Sequence, residues 1–445
     1  MEILLVCLYI LLLSLIIYKS SFFESQVIKK KYLLIFFWIK ILAGLSLYFI
    51  YAYYYPTRQN ADIFKYFDDA KQIYKALPQH PLDFIQMILG INIDNQYFYE
   101  NYFVYTEYWS KRLQDSLIST TSVIIRFNAI TMLFSFGYFN VHTVFASFFS
   151  FIGQMGLCHF VENNLKKIHI GHVLVIFLIP SVIFWSSSVL KEFLLFFSIG
   201  ILVYATDKLF FYTKNIKQKL WTIILIIIAC YTLIFTKTYI FVLLLALLIP
   251  FVLTKKYQIK KTFVCYLCSI IVCAVISYCY LKLFLGKDII NFIVFRHNIM
   301  LNLALEEHAH ITENHLLQAD IFDIFSYLPI AFVNVLLRPF PFESFSPMML
   351  LSEIEQLILE ILTISILFLG FNKKIEQKNL FYFCLFFTLS NIIIIGLCSP
   401  IIGATVRYRS IFLPFLCLFF LLLCDEKTIK YRYHKIISFF KVKNK

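Results

Sequence analysis

Residues 29–55 read KKKYLLIFFWIKILAGLSLYFIYAYYY. Three lysines open the stretch, and an apolar run from 33 to 54 follows. A run of about 20 apolar residues is the length that crosses a bilayer as a helix. Lysine at one end marks the end held in the cytoplasm. The same pairing of apolar run and basic connector recurs along the chain. Apolar runs fall at 2–18, 33–54, 141–161, 173–187, 190–206, 220–236, 238–254, 262–284, 350–371, 380–398 and 409–424. The basic connectors are Lys29 to Lys31, Lys166-Lys167, Lys208 to Lys219, Lys255 to Lys261 and Lys373 to Lys378, and the tail over 425–445 is also basic. This pattern predicts an all-α polytopic membrane protein with about 11 transmembrane helices and every basic connector in the cytoplasm.

Composition agrees with that reading. Of 445 residues, 60% are hydrophobic and 15% charged, where soluble domains run at roughly 25% charged. The net charge of +14 lies mostly in short loops between apolar runs, so it speaks of membrane orientation and not of nucleic acid. The first apolar run lacks a basic start and a small-residue cleavage site, and reads as a retained span. The chain is expected to form one integral membrane domain over 1–445. The eleven cysteines lie mainly within or at the ends of apolar runs. Cys265 and Cys268 make a lone C-x-x-C there, and read as small core- or lipid-facing residues.

Two long segments fall on the side opposite the lysines: 55–117 and 285–349. Both are expected to be extracytoplasmic loops carrying short amphipathic helices. Residues 118–138 are apolar as well. Counting them as a span would place four successive basic connectors outside. They contain Arg126 and Asn128 and end at Phe136-Gly137-Tyr138, so they read as a re-entrant or interfacial helix, the alternative being a true span paired with another misread segment. Under this topology seven of the eight arginines fall outside: Arg58, Arg112, Arg126, Arg296, Arg338, Arg407 and Arg409. Only Arg432 joins the lysines. Guanidinium forks bind phosphate and carboxylate oxygens and stay charged in a partly dry site.

Five constellations could carry chemistry. Asn60 to Ala70 holds Asp62, Tyr66, Asp68 and Asp69; Asp62, Tyr66 and Asp69 share one face if the segment is helical. A carboxylate at the bilayer edge suits a general base acting on a sugar hydroxyl. Pro180 to Glu192 joins two apolar runs, its serines able to bond freed backbone groups, and ends on Lys191-Glu192. Leu337 to Glu343 braces Arg338 and Glu343 with Pro339 and Pro341, and Ser352, Glu353, Glu355 and Glu360 follow. Val406 to Arg409 carries Arg407 and Arg409. His308-Ala309-His310, with His315, Glu306 and Glu307, has metal-type ligands but no metal-site spacing. No metal or other cofactor is expected. Against each stands a plain alternative: solvated helix faces, snorkelling lysines or headgroup anchors.

The acidic motif of the first outer loop, the Pro-Ser-Val-Ile-Phe-Trp-Ser-Ser stretch ending in Lys191-Glu192, and Arg338-Pro339-Phe340-Pro341-Phe342-Glu343 together resemble bacterial polytopic proteins of surface-polysaccharide synthesis. These are GT-C-like glycosyltransferases and O-antigen-type polysaccharide polymerases. The resemblance implies residence in the bacterial inner membrane and a polyprenyl-linked sugar or oligosaccharide as substrate. It implies a catalytic carboxylate at Asp62 or Asp68-Asp69, and pyrophosphate binding by Arg338, Arg407 and Arg409. The chain departs from the GT-C pattern in having an extra span before the acidic loop. The residues taken as catalytic candidates are Asp62, Asp69 and Glu343. Those taken as substrate-binding are Arg338, Arg407, Arg409, Lys191, Glu192, Tyr66 and Arg126. A transporter or flippase of the same lipid-linked sugars is the other class compatible with the pattern. Only Lys40 and Glu360 read as deeply placed and no internal repeat is visible, so the long outer loops with clustered charge favour an enzyme over a transporter.

Overall fold

The computed structural model describes residues 1–54, 61–109, 120–284, 286, 288–306, 309–343, 346–370 and 375–424. Arg58, Arg112, Glu307, His308 and the tail from 425 lie outside the described residues. Within them every regular element is helical; one isolated antiparallel bridge joins Ile311 and Ile401. The chain divides into two compact units. The first comprises Met1–Asn163, Ile168–Leu178 and Val182–Val242, and the second Asn164–Lys167, Ile179–Ser181 and Leu243 onward.

The first unit begins with α1 (Glu2–Lys19) and α2 (Lys30–Phe49). Trp38 of α2 donates its indole N–H to Ser14 of α1 at 2.9 Å. Four helices follow: α3 (Asp62–Tyr74), α4 (Ala76–Gln79), α5 (Pro81–Leu89) and α6 (Gln96–Asn101). Pro81 opens α5, where a missing N–H costs nothing. Gly90 ends it in the left-handed region at φ 73°. Asn95 caps α6 by accepting from Phe98 N–H at 3.1 Å. Then come α7 (Ser122–Ser135), α8 (Phe139–Asn164), α9 (Ile170–Phe177), α10 (Pro180–Trp185), whose first two residues belong to the second unit, and α11 (Lys191–Phe211). In lipid there is little hydrophobic drive between helices, so close approach of backbones and polar bonds hold them together. Gly153 of α8 and Gly200 of α11 meet this way. A methyl on Gly153 would collide with the carbonyl of Phe196, and one on Gly200 with the carbonyl of Gly153.

α12 (Ile216–Tyr257) runs for 42 residues and leaves helical geometry at Lys237, at φ −147° and ψ 88°. The second unit takes its last part, then α13 (Thr262–Phe284), α14 (Ile289–Glu306), α15 (Ile321–Leu336), α16 (Pro347–Ser365), α17 (Lys378–Cys398), α18 (Ile402–Arg409) and α19 (Leu413–Leu423). Asn379 of α17 accepts from Thr254 at 2.8 Å and from Tyr266 at 2.7 Å, tying α12, α13 and α17 together. Gly396 of α17 lies against the backbone of Ala331 in α15.

Among the described residues seven helices are long and apolar enough to cross a membrane, or eight if α18 and α19, bent by 59°, make one span. These are the lengths and compositions of a multi-pass membrane protein. The difference from 11 has three physical sources. The run 173–187 is not one helix: the chain breaks before Pro180 into α9 and α10, of 8 and 6 residues. The runs 220–236 and 238–254 are counted as one helix, yet the backbone breaks at Lys237, between them. The run 350–371 carries Glu353, Glu355 and Glu360 in α16. α7 has 14 residues, about 21 Å of rise. That is short of a hydrocarbon core of roughly 30 Å. The segment 285–349 holds more than short surface helices, since α15 is a 16-residue apolar helix packed on α17.

Candidate functional site

Each unit gathers one cluster of charged and aromatic side chains. In the first unit the cluster is built on α3, whose apolar side packs on α7. The buried Ile63, Phe64, Phe67, Ala70 and Ile73 form that side. Asp69 is 2% exposed. Its carboxylate accepts from the backbone N–H of Glu107 at 2.8 Å, of Tyr108 at 2.7 Å and of Trp109 at 2.9 Å. Burial pushes its carboxyl above the ordinary value while those three N–H groups pull the other way. Asp69 therefore anchors the chain at 107–109.

Asp62, seven residues or about two turns earlier on α3, is half-buried and accepts from the Tyr108 hydroxyl at 2.9 Å. Tyr108 packs on Tyr66 with ring centroids 5.3 Å apart. Lys65 lies 4.9 Å over the Tyr108 ring and 3.5 Å from Glu107. Lys191, at the start of α11, lies 5.9 Å from the Tyr66 ring centre and donates to Thr120 at 3.1 Å. So Asp62, Tyr66 and Lys191 are brought into one group, with Tyr108 as the link. Tyr108 is an aromatic in an aromatic-rich loop, and nothing local in the sequence separates it from Tyr97, Tyr102 or Tyr105.

Arg126 does a different job. It is buried, donates from Nε to the Met87 carbonyl at 3.0 Å and from Nη1 to the Tyr231 hydroxyl at 3.3 Å. Its guanidinium lies 5.2 Å over Trp109. The Gly90 turn comes so close that a Cβ there would sit 2.7 Å from Nη2. Arg126 thus braces the end of α5 against α7. Glu192, beside Lys191, is fully buried. Before it, Ser186 and Ser187 are held by α8: Ser150 donates to the Ser186 carbonyl at 2.6 Å and Ser147 to that of Ser187 at 2.7 Å. Lys40, buried within α2, donates its ammonium to the Ser186 hydroxyl.

The second unit's cluster is built where α15 ends. Arg338 pairs with Glu343 at 2.8 Å and lies 5.4 Å over Phe340. Glu343 also accepts from Phe340 N–H at 2.8 Å and donates its own N–H to the Phe340 carbonyl at 3.0 Å. The turn is a closed ring in which Glu343 orients Arg338. Phe342 takes φ 69°, and its N–H reaches Glu353 at 3.3 Å. Ser346 caps α16 by accepting from Met349 N–H at 3.2 Å, with Pro347 next. Arg409 is 1% exposed and donates from Nη1 to the Arg338 carbonyl at 2.8 Å. Arg407 and Arg409 both lie on α18, so they project about 200° apart. Glu355 accepts from Ser181 N–H at 2.6 Å, and Gln356 donates to Glu360 at 2.8 Å.

Three guanidinium nitrogens in this cluster are left over. Nε of Arg338, and Nε and Nη2 of Arg409, are buried with no hydrogen-bond acceptor among the described residues. Buried N–H groups of this kind are rare, and a ligand is one of the few things that accounts for them. Of the histidine set, His315 lies 3.4 Å from Asp323 and stacks on Tyr327. No group of three or more potential metal ligands occurs among the described residues.

Comparison with protein-family models, with curated proteins and with solved structures returns no match for this chain.

Proposed function

We propose that this protein is a membrane-embedded glycosyltransferase or polymerase of surface polysaccharide synthesis. It takes sugar or glycan from a polyprenyl-phosphate or pyrophosphate carrier on the extracytoplasmic face of the bacterial inner membrane. The observation that carries this reading is the set of buried guanidinium N–H groups of Arg338 and Arg409 that have no acceptor among the described residues. Two cations joined through one backbone carbonyl, beside an apolar helix, suit an anion that arrives on a lipid. Such donors are fixed before the reaction, so they stabilise charge growing on the departing phosphate without reorganising. Within the first unit, Asp62 is the candidate base for a sugar hydroxyl, with Tyr108 holding its carboxylate. Tyr66 and Tyr108 offer ring faces for a sugar.

A second reading, a flippase or transporter of lipid-linked oligosaccharide, draws on Lys40. It is an ionisable group buried within a spanning helix and bonded to Ser186 in the broken segment after α10. Analysis of surface glycan and lipid carrier in a deletion strain decides among these. Lipid-linked single repeat units accumulate on the outer face if it polymerises, and a sugar is missing if it is a transferase. Complete lipid-linked glycan trapped on the inner face would favour transport. Unchanged glycan and carrier pools would sink all three.

A further inference from the structure

Away from both clusters, the first unit contains a serine, a histidine and an asparagine in one hydrogen-bonded line. Ser135 Oγ lies 2.7 Å from Nε2 of His142, and Nδ1 of His142 lies 2.8 Å from Oδ1 of Asn128. All three residues are fully buried. The direction of the line follows from its far end. Asn128 donates its amide N–H to the Ile124 carbonyl at 2.8 Å, which leaves Oδ1 as the atom facing the imidazole. That oxygen can only accept, so Nδ1 of His142 carries hydrogen. In the neutral ring Nε2 then holds the lone pair. Ser135 therefore donates its hydroxyl hydrogen to Nε2. This is the tautomer in which an imidazole withdraws a proton from a serine, with an acceptor oriented behind it.

The backbone adds an independent observation. Ser135 ends α7, and the next two residues both enter the left-handed region, Phe136 at φ 52° and Gly137 at φ 81°. A phenylalanine rarely takes this conformation, and such outliers gather at functional sites. The turn brings Gly137 N–H onto Ser135 Oγ at 3.2 Å. Space beyond Gly137 is open: a Cβ there would meet nothing within 4 Å. Phe136 is 71% exposed, and Ile130, Leu133 and Phe134 of α7 are exposed too. The serine thus lies one residue beneath an apolar surface. The Phe67 and His142 rings meet edge to face, their centroids 4.9 Å apart, which holds the plane of the imidazole.

We propose that Ser135, His142 and Asn128 form a nucleophilic relay that accepts acyl groups from a membrane-borne ester. Ser135 Oγ bonds to the ester carbonyl carbon as its proton passes to His142 Nε2. The carbon–oxygen bond to the alcohol then breaks, and His142 returns the proton to the departing alkoxide. Water, activated by the same nitrogen, cleaves the acyl-serine and restores the hydroxyl. No redox partner is needed. This proposal goes beyond the glycan reading and does not depend on it.

The test is covalent labelling of the full-length protein in detergent with a fluorophosphonate, which phosphonylates activated serines. Peptide mapping should place the label on Ser135, and Ser135→Ala should remove it. His142→Gln should slow labelling by about 10²–10⁴-fold, the range for a lost general base. Asn128→Leu should slow it as well. The wild-type result stands even where a variant fails to fold. No label on folded wild-type protein, in micelles where a reference serine hydrolase reacts, overturns the proposal. Label on Ser135 at an undiminished rate in folded His142→Gln overturns the relay. Neither experiment uses a glycan substrate, so failure here leaves the roles of Asp62 and Arg338 untouched.

Discussion

At the residue scale, Asp62 and Asp69 look equivalent in sequence, two carboxylates on one helix face seven positions apart. Helical spacing fixes the face but says nothing of which oxygens are already occupied. Asp69 meets three N–H donors from residues 38 to 40 positions away, and only the folded chain brings them there. The two should respond differently to the same change. Asp62→Asn keeps shape and removes basicity. It should lower glycan transfer by about 10²–10⁴-fold, with normal yield and melting temperature. Asp69→Asn puts an amide N–H against backbone donors. It should cost about 1.5–3 kcal/mol of stability per charged hydrogen bond lost, read as a lower melting temperature in detergent. Full transfer activity in Asp62→Asn would remove it from the mechanism. Arg338 invites a parallel comparison. Lysine keeps the charge but loses the planar fork and Nε. Arg338→Lys should lose about 10²–10³ in rate, as for a donor to developing charge, at normal yield. Full activity would end the anion-site reading.

At the element scale, the apolar runs 2–18, 33–54, 141–161, 190–206, 262–284 and 380–398 each correspond to one helix long and apolar enough to cross a membrane, because a lipid-facing helix must be apolar along its length. Hydropathy failed where a run is apolar but interrupted. Residues 173–187 average as one span, yet Pro180 lacks the N–H that would continue α9, and the chain restarts as α10. Hydropathy does not show that α15, diluted by Asp323, Pro329 and Asn334, packs on α17. Contacts between helices are less legible still. Gly153 and Gly200 are ordinary glycines in sequence, and their importance is that two backbones meet there. Gly153→Leu should push α8 and α11 apart and destabilise the protein by about 1–3 kcal/mol, the usual cost of overpacking. The control is Gly403→Leu, where a Cβ has open space and little change is expected. Equal melting temperatures for the two variants would show that this approach is not tight.

At the scale of the whole molecule, the lysine connectors set a parity that the helices must satisfy. Lys208 to Lys219 precede α12, and Lys255 to Lys261 end and follow it. For both to be cytoplasmic, the chain must cross twice between them. Forty-two residues suffice for two crossings of about 20 residues each, and the helix is interrupted at Lys237, its midpoint. A continuous helix would be about 63 Å long, twice the hydrocarbon thickness, with its two basic ends on opposite sides. The connectors and the backbone thus point to the same place for a reversal. We therefore expect Asn215→Cys, in a chain whose other cysteines are replaced, to resist a membrane-impermeant maleimide in intact cells and to react after permeabilisation. A cysteine replacing Gln258 should behave the same way, and one replacing the exposed Tyr105 should react in intact cells. If positions 215 and 258 react from opposite sides, α12 crosses once, every later connector inverts, and Arg338 and Arg409 move to the cytoplasmic face. A lipid-linked donor could then reach them only before it is flipped outward.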